Sequence, residues 1–174
     1  MSGLRKTISA FASLVFFGLY CLMPSSASAL DAARGPVVLT VSGEISVTNA
    51  GDTAEFDIEM LEQLGTVTFS TSTIWTEGPQ TFTGVALVDL LKAVGAKGTT
   101  LRAAAINDYA VDIPFSDAVE GGPIVAFKRN DAFMSLRNKG PLWIVYPIDQ
   151  KNEYQSELIY SRSIWQLDRI EVQR

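Results

Sequence analysis

The sequence predicts an α+β domain built around a mixed β-sheet. Two observations carry that expectation: strand-like runs outnumber helical ones, and they come as hairpin-like neighbours instead of alternating strictly with helices. Residues 30–174 hold no internal repeat, linker or low-complexity run, so one domain with a single core is expected there.

Taken in order, "PVVLTVSG" (36–43) alternates up to a glycine and reads as a strand, with "EISVTN" (44–49) as its hairpin mate. "AEFDIEMLEQLG" reads as a short helix, with Asp57 as N-cap and Gly65 as its stop. Thr66 to Thr71 follows as a strand with Val67, Phe69 and Thr71 on one face. "TGVALVDLLKAVGAKG" places Val85, Leu87, Val88, Leu90, Leu91 and Val94 on a helix packed on a sheet and ended by Gly95 and Gly98. "TTLRAAAI" and "YAVDIP" are two strands around the turn "NDY", and "FSDAVEGG" is a loop with one helical turn. "PIVAFKRNDAFMSL" reads as strand, turn at Arg129-Asn130-Asp131, and second short strand. "GPLWIVYPI" is a buried strand closed by Pro147, and an amphipathic stretch leads into a last alternating strand, Trp165 to Val172.

Residues 1–29 read as an export signal outside the fold. Arg5 and Lys6 form a positive start, Ile8 to Met23 an apolar core, and Ala27-Ser28-Ala29 a small-x-small cleavage pattern. Cleavage after Ala29 and a periplasmic location are expected. The one cysteine, Cys21, leaves with that segment, and the chain has no histidine. Thiolate and imidazole chemistry is thereby removed: Ser-His-Asp and Cys-His catalysis, ordinary zinc sites, and His- or Cys-ligated haem. Removal of Arg5 and Lys6 leaves 12 basic residues against 19 acidic ones, a net charge of −7. That balance argues against nucleic acid as a partner.

Catalytic motifs are missing as well: no dinucleotide fingerprint, P-loop, nucleophile elbow or EF-hand loop occurs. Glu55, Asp57, Glu59 and Glu62 read as a solvated helix face with acids near the N-terminus. Asp108 and Asp112, flanking Tyr109, are the best-spaced carboxylate pair, with turn formation and solvation as the commoner uses of such residues. The informative pattern is aromatic. Trp75 follows a run of hydroxyls, Tyr109 follows Asn107-Asp108, Trp143 and Tyr146 lie in "PLWIVYP", and Trp165 follows "YSRS". Singly, each fits a core edge with a wetted polar tip. As a set they suit a flat aromatic ligand with a polar rim.

The order "VTFSTSTIW…FTGVALVDLL…INDYAVDIP…IVAFKRNDAFMSLRNKGPLWIVYP…IWQLDRIEV" resembles the oxidoreductase molybdopterin-binding domain of the sulfite oxidase type, over most of residues 30–174. In that family a strand ends in a molybdenum-ligating cysteine, in a Cys-x-x-x-Trp pattern. The resemblance puts Thr71 at that position, and Trp143 where the family has an arginine in its "P-x-R" segment. Neutral threonine is a poor stand-in for a soft, charged sulfur donor. The chain is therefore similar to small exported pterin-binding members without the ligating cysteine, some of which regulate a membrane receptor that makes or degrades cyclic-di-GMP. The resemblance implies a sulfite oxidase fold, no metal and a pterin ligand. Asp108 would take the guanidine-like edge of the ring. Thr71 and Thr73 would hydrogen-bond in the space vacated by the metal. Trp75, Tyr109 and Trp143 would wall the ring, Arg137 or Arg162 would face its carbonyl or side-chain hydroxyls, and Trp165 completes the expected ligand-binding set. Two alternatives accompany this reading: a molybdopterin-dependent oxidoreductase with unusual metal ligation, and a structural protein-binding domain without a ligand.

Overall fold

The computed structural model describes residues 30–174; the export-signal segment, residues 1–29, lies outside the described residues. The described chain folds as a mixed sheet with three short α-helices, an α+β arrangement. Strand β10 (Trp165–Gln173) organises it. One of its edges pairs antiparallel with β5 (Thr100–Ala105), and the other edge is shared. Along that second edge Trp165 and Leu167 pair antiparallel with β9 (Leu142–Val145), then Arg169 to Val172 pair parallel with β1 (Leu39–Gly43).

From β9 the sheet continues through β7 (Ile124–Arg129) and β4 (Gln80–Ala86) to an edge strand, β3 (Val67–Thr71). On the other side β1 leads to the three-residue β2 (Ala54–Phe56), and β5 forms a hairpin with β6 (Ala110–Pro114). Strand β8 (Ala132–Phe133) folds back on β7 across Asn130 and Asp131, both with positive φ, as an Asn-Asp turn allows.

Burial separates two apolar clusters. The larger gathers Leu39, Val41, Phe56, Leu61, Leu90, Leu101, Ile113, Phe127 and Ile170 around helices α1 (Ile58–Gln63) and α2 (Leu87–Ala93). The smaller holds Phe82, Ile124, Ala126, Met134, Trp143 and Val145, with Phe69, Trp75 and Trp165 packed on its rim. Each large side chain fully withdrawn from water contributes about 1.5–3 kcal/mol, so the rings of the smaller cluster anchor the segments that carry Trp75 and Trp165.

Helix α1 starts as expected. The Asp57 carboxylate accepts from the Met60 amide at 2.9 Å and also from the Arg34 and Gly35 amides. Those hydrogen bonds, led by Met60, hold its carboxyl below the usual carboxylate range despite burial. Glu62 pairs with Lys128 at 2.9 Å, so this acidic face serves capping and surface pairing.

Two expectations are corrected. "EISVTN" forms no strand: the Ser46 and Val47 amides donate to the Val94 carbonyl at the end of α2, and β1 takes β2 and β10 as partners instead. The run expected as one long helix from Thr83 is strand β4 through Ala86, and the helix begins only at Leu87. Gly84 is required on that strand, because a Cβ there would lie 2.2 Å from the Val125 carbonyl oxygen at the irregular step between β4 and β7.

Candidate functional site

Three chain segments meet at one end of the sheet and enclose a cleft of about 280 Å3. The loop after β3 brings Trp75. The β5–β6 turn brings Ala105, Asn107 and Tyr109. Helix α3 (Glu157–Arg162) and the residues after it bring Tyr160, Ser161, Ser163 and Ile164, and β10 opens with Trp165. The lining holds four aromatic rings, two of them tyrosines, one amide and two serine hydroxyls, and among the described residues no charged side chain.

Each wall has a local cause. Trp75 is fixed by a small hydroxyl turn: Thr73 Oγ1 accepts from the Trp75 amide at 3.2 Å and shares a proton with Thr76 Oγ1 at 2.8 Å. Behind Trp75 stands Trp143, edge-on at 6.0 Å, and its neighbour in the lining, Tyr160, meets it edge-on at 6.5 Å. Trp143 is fully buried and donates Nε1–H to the Ser163 carbonyl at 3.1 Å, which ties β9 to the α3 wall. The Lys139 ammonium lies 4.4 Å from the Trp165 ring centroid, a cation–π contact. Tyr109, 58% exposed, stands at the mouth.

The polar groups in the cleft divide into donors and acceptors. Ser161 and Ser163 spend their protons on the Leu158 and Ile159 carbonyls, at 2.7 and 2.9 Å, and so present lone pairs. The Asn107 carbonyl oxygen accepts from the Tyr109 amide at 3.2 Å, while its amide nitrogen has no partner among the described residues. Tyr109 and Tyr160 hydroxyls are likewise unpaired there. A ring whose edge alternates donors and acceptors has counterparts for both.

Beneath α3 lies a charged network. Asp117 Oδ2 accepts from Arg162 at 2.9 Å and from the Tyr146 hydroxyl at 2.8 Å. Burial first, and then Asp117, push the Tyr146 hydroxyl far above the ordinary tyrosine range, so it acts as a fixed donor. The Arg162 Nε is buried without a partner among the described residues.

The structure therefore brings Trp75, Tyr109 and Trp165 together and separates the other expected site residues from the cleft lining. Thr71 is fully buried, and its Oγ1 accepts from the Asp149 amide at 3.1 Å, while Asp149 Oδ2 accepts from the Ser72 amide at 2.6 Å. Thr73 holds the Trp75 turn. Trp143 supports Trp75 from behind. Arg162 belongs to the Asp117 network, and Arg137 lies exposed on a 3-10 turn over Leu136–Asn138. Asp108 has a positive φ and pairs with Arg169 in a separate hollow bordered by Arg102 and Glu171, where Asp112 pairs with Arg102 at 3.3 Å. The unexpected lining residues are Ala105, Asn107, Tyr160, Ser161, Ser163 and Ile164. The "YSRS" segment ahead of Trp165 carried the signal for three of them.

The surroundings of Thr71 do not fit a molybdenum centre. Its oxygen is engaged and sealed, Asp149 is engaged with it, and residues 30–174 contain no cysteine or histidine to supply a soft or imidazole ligand.

No family model matches the chain, and no curated protein matches it. Among solved structures it is similar to the sulfane dehydrogenase SoxCD from Paracoccus pantotrophus, with a TM-score of 0.59 and 18% identity over 78% of this chain and 37% of that one. The chain thus spans little more than a third of that protein. At this identity the likeness shows the fold alone, and it supports a distant sulfite oxidase-like fold.

Proposed function

We propose that this chain is an exported, non-catalytic pterin-binding protein, and that its ligand occupies the aromatic cleft. The observation that carries the reading is the lining: four rings, donors and acceptors in both senses, and no charge. Apolar walls with a few placed polar groups are what small-molecule sites use. At about 280 Å3 the cleft suits a bicycle with a short substituent more than a whole dinucleotide. Other hollows of similar size lack this character; the one beside Asp108 is lined by arginines and acids that satisfy one another.

The same lining narrows the ligand class. A phosphate monoester placed there would meet no lysine or arginine in the lining, Lys139 being held against the Trp165 ring, and an incompletely compensated charge in an apolar cleft is costly. The ligand is therefore an unphosphorylated, reduced or oxidised pterin. Export to the periplasm follows from the pattern of residues 1–29. The family resemblance supports the further step, in which occupancy is reported to the periplasmic domain of an inner-membrane receptor that controls cyclic-di-GMP. A molybdopterin-dependent oxidation is the weaker reading, because the residues around Thr71 do not fit the metal and the one ammonium beside the described cleft, Lys139, is engaged with the Trp165 ring.

Quenching of tryptophan fluorescence tests the proposal. Neopterin should quench and saturate, and neopterin monophosphate should bind at least tenfold more weakly, about 1.4 kcal/mol. Equal binding of the two, or no binding of either, contradicts it.

A further inference from the structure

We propose that the edge of β3 left unpaired among the described residues is a self-association surface on which a second copy of this chain adds its own β3 antiparallel, joining two sheets into one. This rests on the edge geometry and is independent of the cleft's ligand.

The direction of the backbone groups on β3 follows from its neighbour. Thr81 donates its amide to Asn130 Oδ1 at 3.0 Å and accepts from the Asn130 amide at 2.7 Å, so both its main-chain groups point toward β7. Ser70 lies opposite Thr81, and Thr68 lies opposite Thr83. In an antiparallel ladder the residue facing such a position points its own N–H and C=O the other way. The amides and carbonyls of Thr68 and Ser70 therefore face the open edge. The next outward amide, Ser72, is already taken by the Asp149 carboxylate, which ends the usable edge.

Ahead of the Asp149 contact, over residues 67–70, the strand lacks the protection that sheet edges usually carry. Among the described strands, β2 is three residues long and holds Glu55, β6 holds Asp112 and ends in Pro114, and β8 has two residues. β3 has five residues, no proline and no charge, on a chain that is acidic elsewhere. Val67 is 39% exposed on it.

The edge is also self-complementary, which favours a second copy over an unrelated strand. With a two-fold axis at Phe69, Thr68 of each copy meets Ser70 of the other. Both pairs use only the free groups and form about four backbone hydrogen bonds. Phe69 faces its own counterpart at the close, non-hydrogen-bonded position, where aromatic pairs stabilise a sheet. On the opposite face Thr68–Thr83 and Ser70–Thr81 already form hydroxyl pairs at 2.8 Å. The axis brings Thr68 beside the second copy's Ser70 and extends that hydroxyl row across the junction.

Sedimentation equilibrium of the purified protein should show a concentration-dependent monomer–dimer equilibrium, weakened at least about tenfold by Thr68→Lys, whose exposed side chain leaves the fold intact. The register is read separately, in a Cys21→Ser background. Thr68→Cys and Ser70→Cys proteins mixed and oxidised with diamide should cross-link, since paired Cα atoms ~5.5 Å apart suit a disulfide. Each variant alone should cross-link far less, its cysteines being diagonal and ~7–8 Å apart. A protein that stays monomeric at all concentrations overturns the proposal. So does a dimer that is indifferent to Thr68→Lys and shows no preference for the mixed cross-link.

Discussion

Thr71 and Trp75 stand four residues apart and meet opposite fates. At Thr71 every polar group is spent inside the protein: its hydroxyl takes the Asp149 amide, and Asp149 in return takes the Ser72 amide. At Trp75 the chain instead opens a cleft whose rings are braced from behind and whose amide and hydroxyls still have hydrogen-bonding capacity. The contrast teaches that a hydroxyl-rich strand end is no guide to where a ligand binds. The hydroxyls of "TVTFSTSTIW" hold β3 to β4, clasp the segment at Asp149 and set the Trp75 turn; the indole they position faces the cleft.

The contrast predicts that mutations on the two sides separate stability from binding, and the largest effect belongs to the network under the cleft wall. Asp117→Asn leaves the Arg162 guanidinium without its counter-charge and should cost about 2–4 kcal/mol in urea unfolding, with weaker pterin binding because α3 is released. Trp75→Ala should weaken neopterin binding about 10–100-fold, the scale of one lost stacking surface, with an unchanged circular dichroism spectrum. Thr71→Val should do the reverse: about 1–2 kcal/mol of stability lost, because the Asp149 amide goes unpaired, and ligand affinity unchanged. A fall in affinity with Thr71→Val would erase the distinction between the two regions.

The smallest effect serves as a control remote from both. Asp57 has its folded pKa lowered, so its ionised form stabilises the fold above the unfolded value near 3.8, and that contribution is lost as pH falls through the folded value. Asp57→Asn should cost about 1 kcal/mol at pH 7, and the gap to wild type should close below pH 4 in denaturant titrations.

Local chemistry made much of the fold legible. Asp57 and Gly65 bracket α1, "NDY" turns β5 into β6, and Asn130-Asp131 turns β7 into β8, all as their residue types dictate. Long-range pairing was not legible. β1 finds its parallel partner in β10, at the far end of the chain, and nothing in "EISVTN" shows that its amides will serve the end of α2. The start of α2 was hidden because "TFTGVALVDLL" runs from strand to helix as one apolar stretch, and Ala86 offers no side-chain cap.

The cleft divides the same way. Trp75, Tyr109 and Trp165 were visible as rings beside polar loops. Asp108 and Asn107 are adjacent on one turn yet serve different hollows, and Asp108 takes a positive φ there. Trp143, expected as a wall, is a support: its fully buried ring braces Trp75 from within β9.

The central claim is that the aromatic cleft binds an uncharged pterin while position 71 is closed. Calorimetric titration of neopterin into wild type, Thr71→Val and Trp75→Ala tests it most directly. One-to-one binding of equal strength in the first two and its loss in the third is the predicted result. Stoichiometric molybdenum in the native protein, or neopterin binding that survives Trp75→Ala and fails with Thr71→Val, would contradict it.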